Sequence, residues 1–157
     1  MSNDRDASFD TTLFVRDTCL CLHAQRAART LSRLFDEAFQ PLGLTSGQFS
    51  LLNALNRPKP PAIGAVARLL AMDRTTLTAA LKPLERDGLV AMSVDPDDRR
   101  SRLLHLTEKG RTALASAVPV WRDLHEAVEA HLSGLEPDDL RGALNSLARS
   151  RPAKEGP

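Results

Sequence analysis

The 157-residue chain has no tyrosine, one tryptophan and five phenylalanines, so aromatic side chains make up only 4% of it. Leucine and alanine must fill most of any interior, which favours a mainly helical fold. Two cysteines, Cys19 and Cys21, cannot staple a chain of this size, and they lack the Cys-x-x-Cys spacing of a redox or metal motif. No apolar run approaches the roughly 20 residues of a membrane span. The acidic start from Ser2 to Asp10 lacks the basic end and apolar core of a signal peptide, so the cytoplasm is the expected compartment and no membrane partner is expected. His23, His105, His125 and His131 show neither metal-ligand nor triad spacing, and no glycine-rich loop is present to cradle a phosphate. Neither an enzyme nor a metal or cofactor site is expected.

Charge is almost absent in sum, at +1, which by itself argues nothing for nucleic acid. Its distribution is uneven. Residues 57 to 111 hold eleven Lys or Arg against seven Asp or Glu, whereas the segments on either side are slightly acidic. A positive field is therefore concentrated on one part of the chain.

That part has an informative order. A short apolar-periodic segment carries Val66, Ala67 and Leu70 inward, Ala71 and Met72 make a tight connection, and Asp73 stands where a carboxylate caps the next helix. On that next helix Leu77, Ala80, Leu81 and Leu84 fall on one side, while Thr75, Thr78, Ala79, Lys82 and Arg86 gather on the other. Thr76 turns partly away from this outer face and Arg74 sits at its edge, near the helix start where phosphates collect. Pro83 implies either that the helix ends early or that it bends there. Gly88 follows, and Leu89 to Val94 with Leu103 to Leu106 form two arms around a turn holding Arg99, Arg100 and Arg102. Helix, turn, helix and basic hairpin read as a winged helix-turn-helix, with small and basic side chains for a major groove and wing arginines for a narrow minor groove. Asp97 or Asp98 is expected to brace an arginine of the wing.

The flanks are long and apolar. Thr12 to Phe39 reads as one helix without proline or glycine, with Leu20, Ala24, Ala27, Leu31, Leu34 and Ala38 along one seam and Phe14, Cys21, Ala28 and Phe35 on a neighbouring side. Pro41 and Gly43 stop it, and Thr45 with Gln48 forms a capping box for a helix through Phe49, Leu52 and Leu55. After the wing, Thr107 caps a long helix that passes Leu114, Ala117, Val118, Trp121, Leu124, Val128 and Leu132, with a bend expected at Pro119, and Pro137 opens a last helix with Leu140, Ala143, Leu144 and Leu147. Apolar helices at both ends, wider than one packing partner needs, describe a helical dimerisation region carrying one reading head per subunit. A two-fold protein of this kind matches a palindromic or pseudopalindromic double-stranded DNA site.

The run Asp73-Arg74-Thr75-Thr76-Leu77-Thr78-Ala79-Ala80-Leu81-Lys82-Pro83-Leu84-Glu85-Arg86-Asp87-Gly88-Leu89-Val90, then Asp95-Pro96-Asp97-Asp98-Arg99-Arg100 and Leu106-Thr107-Glu108-Lys109-Gly110, resembles the MarR family of bacterial transcriptional regulators. The resemblance implies a homodimer over residues 12–148, with a winged helix-turn-helix lobe at 45–106 and dimerisation helices at 12–44 and 107–148. Residues 1–11 and 149–157 are then a flexible start and tail. It further implies Thr75, Thr76, Thr78 and Lys82 on or beside the major-groove helix, Arg100 in the minor groove and Asp98 as its brace. A small aromatic effector, met by His23, Arg26 or Arg29, would release a repressor from its operator. Two alternatives stand beside this: a redox-responsive repressor using Cys21 or Cys19, and a winged module that binds protein rather than DNA.

Overall fold

A computed structural model describes residues 7–149, so most of the expected flexible start and all but the first residue of the tail lie outside the described residues. The helical region begins earlier than residue 12: Ser8 Oγ accepts the Thr11 amide at 3.2 Å and starts α1, Phe9–Thr18. The single long helix expected from Thr12 to Phe39 is in fact two. Cys19 adopts an extended backbone, and its sulfur accepts the Leu22 amide at 3.4 Å, so that it ends α1 and caps α2, Leu20–Phe39. A 3₁₀ turn at Gln40–Leu42 closes on Gly43, whose φ of 70° suits a residue without Cβ.

Helix α3, Ser46–Leu55, opens on the expected capping box, Gln48 amide to Thr45 Oγ1 at 3.2 Å and Thr45 amide to Gln48 Oε1 at 3.0 Å. Helices α4, Ile63–Leu69, and α5, Arg74–Arg86, follow, then the antiparallel strands β1, Val90–Val94, and β2, Arg102–Leu106. Val90 pairs with Leu106 and Val94 with Arg102, so Leu89 lies before the first arm and Arg102 begins the second. Helix α6, Glu108–Ala130, runs through Pro119, and α7 is Pro137–Arg149 with proline at its first position.

One core serves the whole winged helix-turn-helix lobe. Leu77, Leu81 and Leu84 of α5 are fully buried against Leu52 and Leu55 of α3, Val66 of α4 and Leu104 of β2. Each such leucine contributes roughly 2 kcal/mol of apolar burial. The same core takes in Phe39 at the end of α2 and Leu114 and Ala117 from the first half of α6. The helical region and the winged lobe therefore share an interior at their junction. In contrast, α1 and α7 pack only marginally on the rest of the chain, and Phe9, Phe14, Leu144 and Leu147 remain exposed.

The connection between α4 and α5 is tight because Ala71 takes φ of 51°, letting the Met72 amide reach the Ala67 carbonyl at 2.9 Å and the Ala71 amide reach Arg68 at 3.3 Å. This is a helix stop in which glycine is the usual residue, since a Cβ in that conformation costs about 1–2 kcal/mol. Ala71→Gly is expected to raise the urea midpoint by the equivalent of about 0.5–1 kcal/mol, the relief of strain less the added freedom of the unfolded chain.

Candidate nucleic-acid interface

Helix α5 is set up by Asp73. Its Oδ1 accepts the Thr76 amide at 2.8 Å and its Oδ2 the Thr76 hydroxyl at 2.7 Å. These bonds hold the Asp73 carboxyl below its ordinary value. A lowered carboxylate stabilises the fold at every pH above the unfolded value, and that contribution is lost only as pH falls through the lowered one. The cap is thus fully formed at neutral pH. Pro83 does not end the helix, which continues to Arg86; the early stop is excluded. Leu89 amide to Leu84 carbonyl at 2.9 Å, around Gly88 at φ of 72°, finishes the helix and turns the chain into β1.

Burial of Leu77, Leu81 and Leu84 leaves Thr75, Thr78, Ala79, Lys82 and Arg86 on the open side of α5. The Thr75 hydroxyl and the Lys82 ammonium have no hydrogen-bond or ionic partner among the described residues. Thr78 does: its hydroxyl donates to the Arg74 carbonyl at 2.7 Å. Thr76 is exposed, but its hydroxyl is engaged by Asp73. The Arg74 guanidinium extends over Gly64 of α4, where a Cβ would lie 3.4 Å from it. Arg86 is paired with its neighbour Asp87 at 3.1 Å, although both are largely exposed.

The wing tip is built by its aspartates. Asp95 Oδ1 accepts the Asp97 amide at 2.9 Å, Asp98 Oδ1 accepts the Arg100 amide at 3.0 Å, and the Asp98 carbonyl accepts the Ser101 amide at 2.8 Å. Asp98 thus holds Arg100 by its backbone amide rather than by its guanidinium. A carboxylate two residues ahead reaches the backbone of the turn and shapes it, leaving the guanidinium free. Arg99 and Arg100 extend from an exposed tip with no side-chain partner among the described residues. Arg102 turns back instead, donating to the Arg99 and Ser101 carbonyls at 3.3 and 3.2 Å. Lys109, which the sequence reading passed over, caps the far end of α5 by donating to the Asp87 carbonyl at 2.7 Å.

A groove of about 700 Å³ lies between α2, α6 and α7. His23 and Arg26 line it, together with Leu31 and Phe35. Arg29 does not; it sits with Arg33 on another part of the α2 surface. The sequence reading missed the opposite wall. There His125 Nε2 lies 3.1 Å from Glu129, which also pairs with Arg141, itself 2.7 Å from Asp138. Only the spacing of His125 and Glu129 by one helical turn hinted at such a cluster. From this wall an aromatic ladder runs inward, His125 on Trp121 at 4.6 Å, Trp121 on Phe49 at 6.3 Å and Phe49 on Phe39 at 4.8 Å. Cys19 is half-buried at the α1–α2 break, and exposed Cys21 accepts from Gln25 Nε2 at 3.4 Å.

Residues 44–110, the lobe just described, match a family described as a winged helix DNA-binding domain. The chain is 39% identical over 89 residues to the transcriptional activatory protein BadR of Rhodopseudomonas palustris, an alignment covering 55% of this chain and 51% of that protein. It thus spans about half the length of that curated relative. Among solved structures, the transcriptional regulator MosR of M. tuberculosis, determined in complex with DNA, superposes with a TM-score of 0.75 and 36% identity over 83% of this chain and 93% of that one. A mutant of E. coli MarR complexed with operator DNA gives a TM-score of 0.75 and 25% identity, covering 86% and 97% of the two chains. No helix among the described residues is long and apolar enough to cross a membrane. With its reading helix, basic wing and flanking helices in the order these relatives share, the chain belongs to the MarR family of transcriptional regulators.

Proposed function

We propose that this protein is a homodimeric, sequence-specific reader of double-stranded DNA that represses transcription and is released by a small organic molecule. The observation that carries the reading is the open face of α5, with Thr75 and Lys82 unengaged among the described residues, beside a wing tip that presents Arg99 and Arg100. A side chain with no partner in the protein is available to phosphates and base edges. A surface built to meet a partner protein would carry apolar groups there instead. Determination of MosR and MarR with DNA supports the same reading.

Dimerisation is supported by α1 and α7. Helices of 10 and 13 residues are marginal in water alone, and these two leave Phe9, Phe14, Leu144 and Leu147 exposed with little in their own chain to cover them. A second copy supplies the cover and brings a second reading head, so the target is palindromic or nearly so. Residues 45–106 form the DNA-binding lobe of this proposal, and 12–44 and 107–148 its dimerisation helices. The groove at His23 and Arg26 is the proposed effector site, apolar enough for an aromatic ring and cationic enough for an acidic group.

Footprinting of the purified protein on DNA around its own gene, followed by salt titration on the protected duplex, tests the proposal. A palindromic footprint is expected. Affinity for it should fall on the order of a thousandfold between 50 and 200 mM salt, as for a dimer neutralising about six phosphates or more. Equal affinity for unrelated duplexes, or none for any, would reject the DNA reading in favour of a protein-binding winged module.

A further inference from the structure

We infer that Thr78 offers DNA an acceptor and a methyl group rather than a donor, and so selects an amino group of adenine or cytosine and a neighbouring thymine methyl. This rests on the DNA-binding reading above. A threonine hydroxyl carries a single proton. In Thr78 that proton is directed to the Arg74 carbonyl at 2.7 Å, inside the helix, so only oxygen lone pairs and the γ-methyl remain on the outward side. Ala79 is exposed next to it and adds a second methyl. The hydroxyl of Thr76 is likewise withdrawn, its proton directed to Asp73 Oδ2 at 2.7 Å.

The outer face of α5 is consequently ordered by hydrogen-bonding sign. Thr75 at its start is unengaged among the described residues and can donate or accept; Thr78 and Ala79 present lone pairs and methyls; Lys82, one turn further, can only donate. In the major groove the donors are the amino groups of adenine and cytosine. Guanine presents the acceptors N7 and O6, which would face the Thr78 lone pairs unfavourably. The thymine C5-methyl is the apolar feature that Thr78 Cγ2 and Ala79 can meet. The step read by Thr78 is therefore closed to guanine on the contacted strand, although nothing about the polarity of threonine as a residue type dictates that.

The test pairs protein variants with base analogues on the footprinted duplex. Each adenine of a half-site is replaced singly by purine, each cytosine by 2-pyrimidinone, and each thymine by deoxyuridine. Wild type is expected to lose about tenfold in affinity when the amino group is removed at one position per half-site. Thr78→Val, which keeps the methyl and loses the oxygen, should be indifferent to that amino group while still sensing the thymine methyl. Thr78→Ser should keep the amino-group sensitivity and lose only the part of the thymine-methyl sensitivity that Ala79 does not supply. The inference is overturned if Thr78→Val retains the full amino-group sensitivity at every position. It is equally overturned if the step that depends on Thr78 is a guanine whose replacement by 7-deazaguanine weakens wild-type binding. Wild type that does not distinguish the footprinted duplex from a scrambled one removes the DNA reading together with this inference, whereas sequence preference that is independent of Thr78 removes the inference alone.

Discussion

Gly110→Ala should destabilise the protein by about 3 kcal/mol or more, a large share of the total stability of a domain of this size. A Cβ added at Gly110 would lie 2.1 Å from the Leu89 carbonyl oxygen and 2.8 Å from Leu106 Cδ1. The leucine side chain can turn aside, but the carbonyl is fixed, because it already accepts the Thr107 amide at 3.1 Å while the Thr107 hydroxyl donates to the Gly88 carbonyl at 2.7 Å. Relief requires α6 to withdraw from the start of β1. That would open the junction where the wing and the reading helix meet the helical region. Urea unfolding followed by circular dichroism measures the effect. Gly47→Ala is the control, since a Cβ there meets nothing closer than Thr45 Oγ1 at 3.9 Å and the added helix propensity should yield a gain of at most about 1 kcal/mol.

Replacing Leu144 and Leu147 together by glutamate is expected to produce a folded monomer whose affinity for the palindrome is about 10²–10⁴ lower. Both leucines are about half exposed in the single chain and stand outside its core, so the charges meet water in the monomer. In a dimer that uses α7 as its cover they would be buried, and an unpaired carboxylate in an apolar contact is strongly disfavoured. Once the copies separate, the second reading head no longer binds as an intramolecular event, and the lost effective concentration sets the size of the drop. Sedimentation and titration on full and half sites check both parts. A variant that remains dimeric with unchanged affinity would remove α7 from the interface.

The elements legible in advance are those whose cause is local. Asp73, Thr107 and the Thr45–Gln48 pair are polar residues that each satisfy the first amides of a helix, and the structure uses all of them so. The inward set on α5 follows from periodicity alone. The break at Cys19 was hidden because no glycine or proline marks it, and a thiol is not among the side chains that usually cap helices. The manner in which Asp98 holds Arg100 was hidden for a different reason: sequence shows opposite charges in one turn, but not that the nearer donor is a backbone amide. Gly110 is plain in the sequence as part of Thr-Glu-Lys-Gly, yet its necessity comes from Leu89, twenty-one positions away, which only tertiary packing reveals. His125, Glu129 and Arg141 could not be read together for the same reason, since Arg141 belongs to another helix.

The stacking of Trp121 between Phe49 and His125 also gives the molecule an optical property. With no tyrosine in the chain and no second tryptophan, all indole emission comes from a single ring, uncontaminated by energy transfer from phenols. One neighbour of that ring belongs to α3, behind the reading helix, and the other lines the groove against α7. The emission wavelength and lifetime of the unlabelled protein thereby register any change in the spacing of these two parts, in real time and without a reporter dye.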